Sequence, residues 1–265
     1  MKNLLLAFVF LAGLQLTIDA QQTKALKKVI ELQMPKGEGN NGASVIYHPI
    51  QKKYYASFAG NAAYPLCVFD IKGKRISTDD LKAGFDVRSL WYNSSNQALQ
   101  GNGYNDFGWT NFTLDKAGIP TGNEVFMDGM NQPGAQSVGA FDDKNKMVYF
   151  LSDDRVAIYN FKGQSKGEMK FTFDEKNTEE VATEGLLPEK FNSTNLIFTG
   201  IDKAEWGLLD IENKKVFLFN RISGKLTQQW TIDSPTDFQS MFGFAYTNGL
   251  VFIFNKAERK WEGYK

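Results

Sequence analysis

The chain has 265 residues, 42% of them hydrophobic, and its 30 Lys plus Arg are balanced by 30 Asp plus Glu. With no net charge there is no global field to draw it to nucleic acid or to an acidic membrane surface. One histidine and one cysteine exclude an internal disulfide and argue against a Ser-His-Asp triad or a His-rich zinc site.

Lys2 is followed by a run from Leu4 to Leu16 that is apolar except for Gln15, then by Ile18, Asp19 and Ala20. The run has 13 residues, whereas a spanning helix needs about 20. A basic start, a short apolar stretch and a small residue read as a secretory signal peptide, residues 1–20, cleaved near Ala20. The expected product is one exported domain over 21–265, secreted or periplasmic, without a membrane span.

After this segment, apolar and polar residues alternate in short runs punctuated by Gly, Asn and Asp, the pattern of many short strands. ALKKVIELQM, from 25, places Ile30, Leu32 and Met34 on one side of a strand. ASVIYH, from 43, turns at HPIQKK into YYASFAG, and PLCVFDI then runs to a turn at Gly73. RSLWYN, from 88, turns at NSSNQ into QALQGNG, followed by WTNFTLD and Gly118. QSVGAF, from 136, turns at DDKNK into MVYFLSD, followed by RVAIYNF and Gly163. TEGLLP, from 183, leads through PEKFNS to NLIFTGI, and this unit is about ten residues too long, holding both WGLLDIENKKVFLFN and RISGKLTQQW. QSMFGF, from 239, turns at YTNG into LVFIFNK, and the C-terminal KWEGYK supplies a further strand.

A polar pair before an apolar run thus recurs, with second members Ser44, Ser89, Ser137, Glu184 and Ser240 spaced by 45, 48, 47 and 56 residues. The 25 residues after Ser240 and the 23 from Gln21 to Ser44 make one more period of 48. A period in this range points to propeller blades or solenoid turns, and two half-repeats at the termini favour closure into a ring, which removes exposed sheet edges. The expected fold is all-β: a β-propeller of five blades, six being the alternative, closed by the N-terminal strand. A β-sandwich or β-solenoid also has many short strands, but a sandwich need not repeat and a solenoid usually has shorter periods.

YYASFAGNAAYPLCVFDIKGKRI resembles the NHL and YVTN classes of propeller repeat, in which a strand, a Gly-Asn loop, a Val-Phe-Asp strand end and a Gly-Lys turn succeed one another. VYFLSDDRVAIYNFKGQ is a looser copy. The likeness covers about two repeats well; it supports the fold and names no function.

That resemblance implies that the first strand of each blade begins at one end of a central channel, where the loops between second and third strands also open. The strand entries there are Asp86, Arg88, Gln136, Glu184, Asp237 and Gln239, and the loops add Tyr64, Tyr104, Asp153, Trp109, Glu205, Trp206 and Trp261. The serines of the pairs have a bland role, bonding nearby backbone, whereas Glu184 breaks the pattern and is the candidate acid, base or ligand-binding group. Tyr64, Trp109, Trp206 and Trp261 each stand at the start of an expected third strand. They fit either stacking on a sugar or packing between blades.

The expected function is a binding module, using Glu184, Arg88, Gln136, Gln239, Tyr64, Trp109 and Trp206 on a glycan, a small polar ligand or an envelope or extracellular protein. The alternative is a hydrolase with Glu184, Asp86 and Asp237 as catalytic carboxylates. Five-bladed glycoside hydrolases, which have a similar trio, usually open the first blade with Asp-Pro, where this chain has GNNGAS. Metal-dependent propeller lactonases place an early Glu-Gly-Pro on the metal, and TEGLLP resembles it in part. No cofactor is required, calcium being the one metal that the oxygen-rich SDDR, DGMNQ and DEKNTEE stretches would suit. His48 is expected in a first turn at the opposite end, and Cys67 buried. NSS at 93, NFT at 111 and NST at 192 match the glycosylation acceptor pattern.

Overall fold

A computed structural model describes residues 22–37, 39–173 and 190–265. The proposed signal peptide and TEGLLP with Glu184 lie outside the described residues. Two N-terminal strands, β1 (Gln22–Leu26) and β2 (Lys28–Gln33), precede the first blade. Blade 1 is β3 (Asn41–His48), β4 (Lys53–Ala59) and β5 (Leu66–Asp70); blade 2 is β6 (Val87–Asn93), β7 (Ala98–Gly103), β8 (Trp109–Leu114) and β9 (Pro120–Met127). Blade 3 is β10 (Ala140–Asp142), β11 (Met147–Ser152), β12 (Arg155–Asn160) and β13 (Ser165–Lys170). Blade 4 is β14 (Ile197–Phe198), β15 (Trp206–Asp210), β16 (Lys215–Phe219) and β17 (Leu226–Ile232); blade 5 contributes β18 (Phe244–Thr247), β19 (Leu250–Asn255) and β20 (Lys260–Tyr264). Within each blade consecutive strands pair antiparallel, and the five sheets form the ring of a β-propeller. Among the described residues no helix is long and apolar enough to cross a membrane.

Each sheet buries both faces, so strands such as KYYASFA are apolar or small on both sides. The core is divided accordingly, with an apolar cluster in each gap between blades. Tyr55, Val68, Leu90 and Phe112 join blades 1 and 2, and Trp91, Trp109, Val148 and Phe150 join blades 2 and 3. Tyr149, Leu151, Trp206 and Phe217 join blades 3 and 4, while Leu209, Trp230, Phe244 and Ile253 join blades 4 and 5. Leu32, Phe254 and Trp261 meet Tyr54, Phe58 and Cys67 across the closing gap.

The N-terminal strand closes the ring as expected. β2 pairs antiparallel with β20, with Leu32 opposite Trp261, and becomes the outer strand of blade 5. At its start Lys27 and Lys265 exchange two backbone hydrogen bonds of 3.0 Å. The seam also carries charge. The buried Glu262 carboxylate accepts from Tyr264 Oη at 2.7 Å and Thr236 Oγ1 at 3.0 Å, and faces Lys28 Nζ at 3.4 Å and Lys260 Nζ at 3.5 Å. Glu31 bridges the same two lysines, at 2.6 and 2.9 Å. Burial pushes the Glu262 pKa up, but the Tyr264 and Thr236 hydroxyls and the Lys28 ammonium outweigh it and hold the carboxyl below its ordinary value.

Three details differ from the sequence reading. NLIF opens blade 4 as its inner strand β14 instead of serving as a second strand, so WGLLD, KVFLF and LTQQWTI complete four strands and the surplus length lies before the blade. The pairs at Gln136-Ser137 and Gln239-Ser240 precede β10 and β18, whereas Ser44 and Ser89 lie within β3 and β6. Finally, β1 adds to blade 4 as a parallel fifth strand beside β17, Leu26 opposite Ile232.

Candidate functional site

The two ends of the ring are defined by which loops meet. At one end the connections into the inner strands touch the loops between second and third strands. Tyr104 N donates to Asp86 O at 2.8 Å, Asn105 N to Ala135 O at 3.0 Å, and Arg259 Nη1 to Gly39 O at 2.5 Å. This end is the channel mouth. At the other end the first turns link in sequence: His48 Nε2 lies 3.1 Å from Gln97 O, and Ser94 N donates to Asp143 Oδ1 at 2.9 Å. Between them runs a narrow channel of about 90 Å³, bordered by all five inner strands.

The inner strands are stitched across the blades by side chains. Ser44 Oγ accepts from Leu90 N at 3.0 Å and Ser89 Oγ from Gly139 N at 3.1 Å, while Asn195 Nδ2 donates to Phe244 O at 2.6 Å. These hydroxyls and amides satisfy backbone groups that a lone inner edge leaves open. Ser44 and Ser89 of the repeat are therefore structural.

Charge is buried at the mouth. Arg88, 2% exposed, forms a two-point pair with Asp86, Nη1 to Oδ1 at 2.5 Å and Nη2 to Oδ2 at 3.1 Å. Asp86 Oδ1 also accepts from Gly60 N at 2.7 Å, which ties the β4–β5 loop to the pair. The Arg88 guanidinium lies 4.7 Å from the Tyr104 ring and 5.4 Å from the Phe242 ring, and its Nε has no partner. Phe242 has φ of +57°, a conformation that a bulky side chain adopts only under constraint. Blade 4 supplies that constraint: Phe242 N donates to Thr194 Oγ1 at 2.7 Å, and Asn192 Nδ2 donates to Phe242 O at 2.7 Å.

Two clefts flank the contact in which Ser193 N donates to Ser240 O at 2.8 Å. One, of about 410 Å³, is lined by Asn41, Phe238, Gln239, Ser240, Met241, Phe242 and Lys256. The other, of about 310 Å³, is lined by Gln136, Ser137, Ser152, Asp153, Ser193 and Thr194 among others. Gln239 Nε2 is buried without a hydrogen-bond partner beside the first cleft. Met241, 41% exposed, and Tyr104, 42% exposed, are apolar surfaces at the same end.

Of the residues expected at the site, Asp86 and Arg88 meet each other, Gln239 lines one cleft and Gln136 the other. Asp237 is exposed in the loop entering blade 5. Tyr64 is half-buried, edge-on to Phe58 at 6.3 Å. Trp109 and Trp206 are 0% and 1% exposed, so neither offers a face to a ligand. Trp109 packs among Trp91, Phe150 and Phe161, and Trp206 against Tyr149 and Phe171. Trp206 also opens a second strand, which puts it and Glu205 at the far end from the mouth; the shifted phase of blade 4 is the reason. Phe242, Lys256, Asn192 and Thr194 escaped the sequence reading, because a left-handed phenylalanine and the side chains that hold it have no local signature.

His48 lies at the far end of the ring, and Cys67 is buried in the gap between blades 5 and 1. Burial lowers the His48 pKa and pushes the Cys67 thiol up to about 12, which opposes thiolate formation. Asn192 is fully buried and its amide donates to both Gln239 O and Phe242 O, so NST marks a loop clamp and not an exposed acceptor. Among the described residues no three of His, Cys, Asp and Glu converge as a metal cluster.

No protein-family model matches the chain, and no curated protein matches it. Among solved structures it is similar to the crystal structure of the Myxococcus xanthus glutaminyl cyclase, with a TM-score of 0.55 over 93% of this chain and 98% of that one. The two share 9% sequence identity, and at that level the likeness shows the fold alone.

Proposed function

We propose that this chain is an exported binding module that takes a small polar ligand, a glycan in the first instance, at the channel mouth. The observation that carries the reading is the partly buried Arg88–Asp86 pair, whose guanidinium is enclosed against Tyr104 and a left-handed Phe242. A buried ion pair costs desolvation that an apolar plug would avoid, and backbone held in a sparsely populated region costs about 1–3 kcal/mol. Both costs fall at one end of the ring, next to two open clefts and two exposed apolar side chains. Such an arrangement suits a polar ligand that stacks on Tyr104 while its hydroxyls meet the cleft amides.

Thermal-shift screening against glycans and small metabolites tests the reading. An N-terminal glutaminyl peptide belongs in the panel, since the Myxococcus protein of the same fold is a glutaminyl cyclase. A ligand should raise Tm in the wild type and lose that effect in Tyr104→Ala. Ligands whose effect survives Tyr104→Ala, Met241→Ala and Gln136→Ala alike would place binding elsewhere. Turnover of a bound glycan that Asp237→Asn or Glu184→Gln abolishes would make the face catalytic instead.

A further inference from the structure

The two clefts at the mouth differ in charge. Among the described residues that line the larger one there is no carboxylate, and its polar groups are the Asn41 and Gln239 amides, the Ser240 hydroxyl and the Lys256 ammonium. Among the described residues, the smaller cleft is lined by Asp153 and by no basic side chain. Nearby charges extend the contrast. Arg259, on the same β19–β20 turn as Lys256, reaches Gly39 O and Asn40 Oδ1, and Glu258 of that turn pairs with Lys260 at 2.5 Å, an ammonium it shares with Glu31 and Glu262. Asp86 is neutralised by Arg88. Asp237, in the loop that carries Gln239, does not line the cleft.

We infer that the larger cleft is a subsite for an anionic oxygen group, a carboxylate or a phosphate, on the small ligand; the inference rests on the mouth being a binding face. The decisive feature is Gln239. Its Nε2 is buried with no acceptor, as are the indole N–H groups of Trp109, Trp206 and Trp261, but those are fixed in the core whereas Gln239 lines an open cleft. Gln239 itself is only partly buried and borders the cleft, so rotation of its side chain carries the amide toward an acceptor there. An anionic oxygen is the strongest acceptor available. Lys256 supplies the opposite charge on a flexible stem, and the Asn41 amide and Ser240 hydroxyl can donate as well. The left-handed Phe242 and Gly243 (φ +57° and +69°) form the floor that holds Gln239 in place, Gly243 lying under the Gln239 amide.

The test is isothermal titration of the purified protein with glucuronate, glucose and inorganic phosphate. Glucuronate differs from glucose by its carboxylate, so it should bind about ten-fold tighter, and the advantage should shrink as salt is raised. Lys256→Gln and Gln239→Leu should each remove most of that advantage without lowering Tm. Phosphate binding as strongly as glucuronate would identify charge as the recognised property; glucuronate alone would identify the carboxylate on a sugar. Glucose binding as tightly as glucuronate, with both lost in Tyr104→Ala, would overturn the anionic subsite and leave the binding face standing. Anion binding unchanged in the Lys256→Gln/Gln239→Leu double variant, or no anion binding at millimolar concentration, would also overturn it.

Discussion

The seam that closes the ring and the mouth of the channel both place charge out of solvent, but they treat the polar groups around that charge in opposite ways. At the seam both Glu262 oxygens have partners, and Tyr264, Thr236, Ser234 and Asn255 form a connected hydroxyl and amide network around them. At the mouth Arg88 Nε and Gln239 Nε2 are left without acceptors, and Phe242 is held in a left-handed conformation. A closed network strengthens the join between the first and last parts of the chain. An open one leaves donors to which an added molecule can supply an acceptor. The contrast fits a seam that stabilises the ring and supports the proposal that the mouth is the binding face.

The largest effect should come from the seam. Glu262→Ala takes the acceptor from the buried Tyr264 and Thr236 hydroxyls, while Lys28 and Lys260 keep Glu31, and should cost about 2–4 kcal/mol, on the order of 10 °C in Tm; a loss no larger than that of an exposed substitution would erase the contrast. The same carboxylate predicts an acid sensitivity. Its pKa lies below the ordinary 4.5 when folded, so its contribution is complete above that pH and is lost as pH falls through the folded-state value. Urea midpoints measured from pH 6 to 3 should fall in the wild type and fall less in Glu262→Gln.

At the mouth the expected changes are smaller and differ in kind. Arg88→Lys keeps the charge but not the two-point geometry, and should cost about 1–2 kcal/mol by denaturant titration. Gln239→Leu removes a buried donor that has no acceptor, so stability should hold or rise by up to about 1 kcal/mol while anion binding weakens. A marked loss of stability in this variant would show that the amide is structural, as at the seam. Tyr104→Ala removes the ring that lies over the Arg88 guanidinium and should cost about 0.5–1 kcal/mol, with its main effect on ligand binding.

The fold was largely legible in the chain. Alternation, the recurring polar pair and the two half-repeats at the termini led to five blades closed by β2, because the second strand of a blade is buried on both faces and the turn before it needs a left-handed or small residue near its end. Lys52, Gln97 and Lys146, with φ between 52° and 57°, occupy that place before three second strands. Blade 4 was misread for a physical reason. TEGLLP has the same polar-then-apolar pattern as a true entry, and a two-residue inner strand such as β14 has too few residues to show a period.

The candidate site was legible only in part. Asp86, Arg88, Gln136 and Gln239 were reachable from the repeat phase, since that phase sets which end of a strand faces the mouth. Trp109 and Trp206 shared the residue type of a ligand platform, but their exposure depends on the neighbouring blade, which no local pattern records. By itself, then, the sequence determined an all-β ring, its blade count and its closure, all consequences of periodicity along the chain. Tertiary structure alone decided which side chains at the mouth are spent on packing and pairing and which are left open, because that depends on contacts between blades about 50 residues apart.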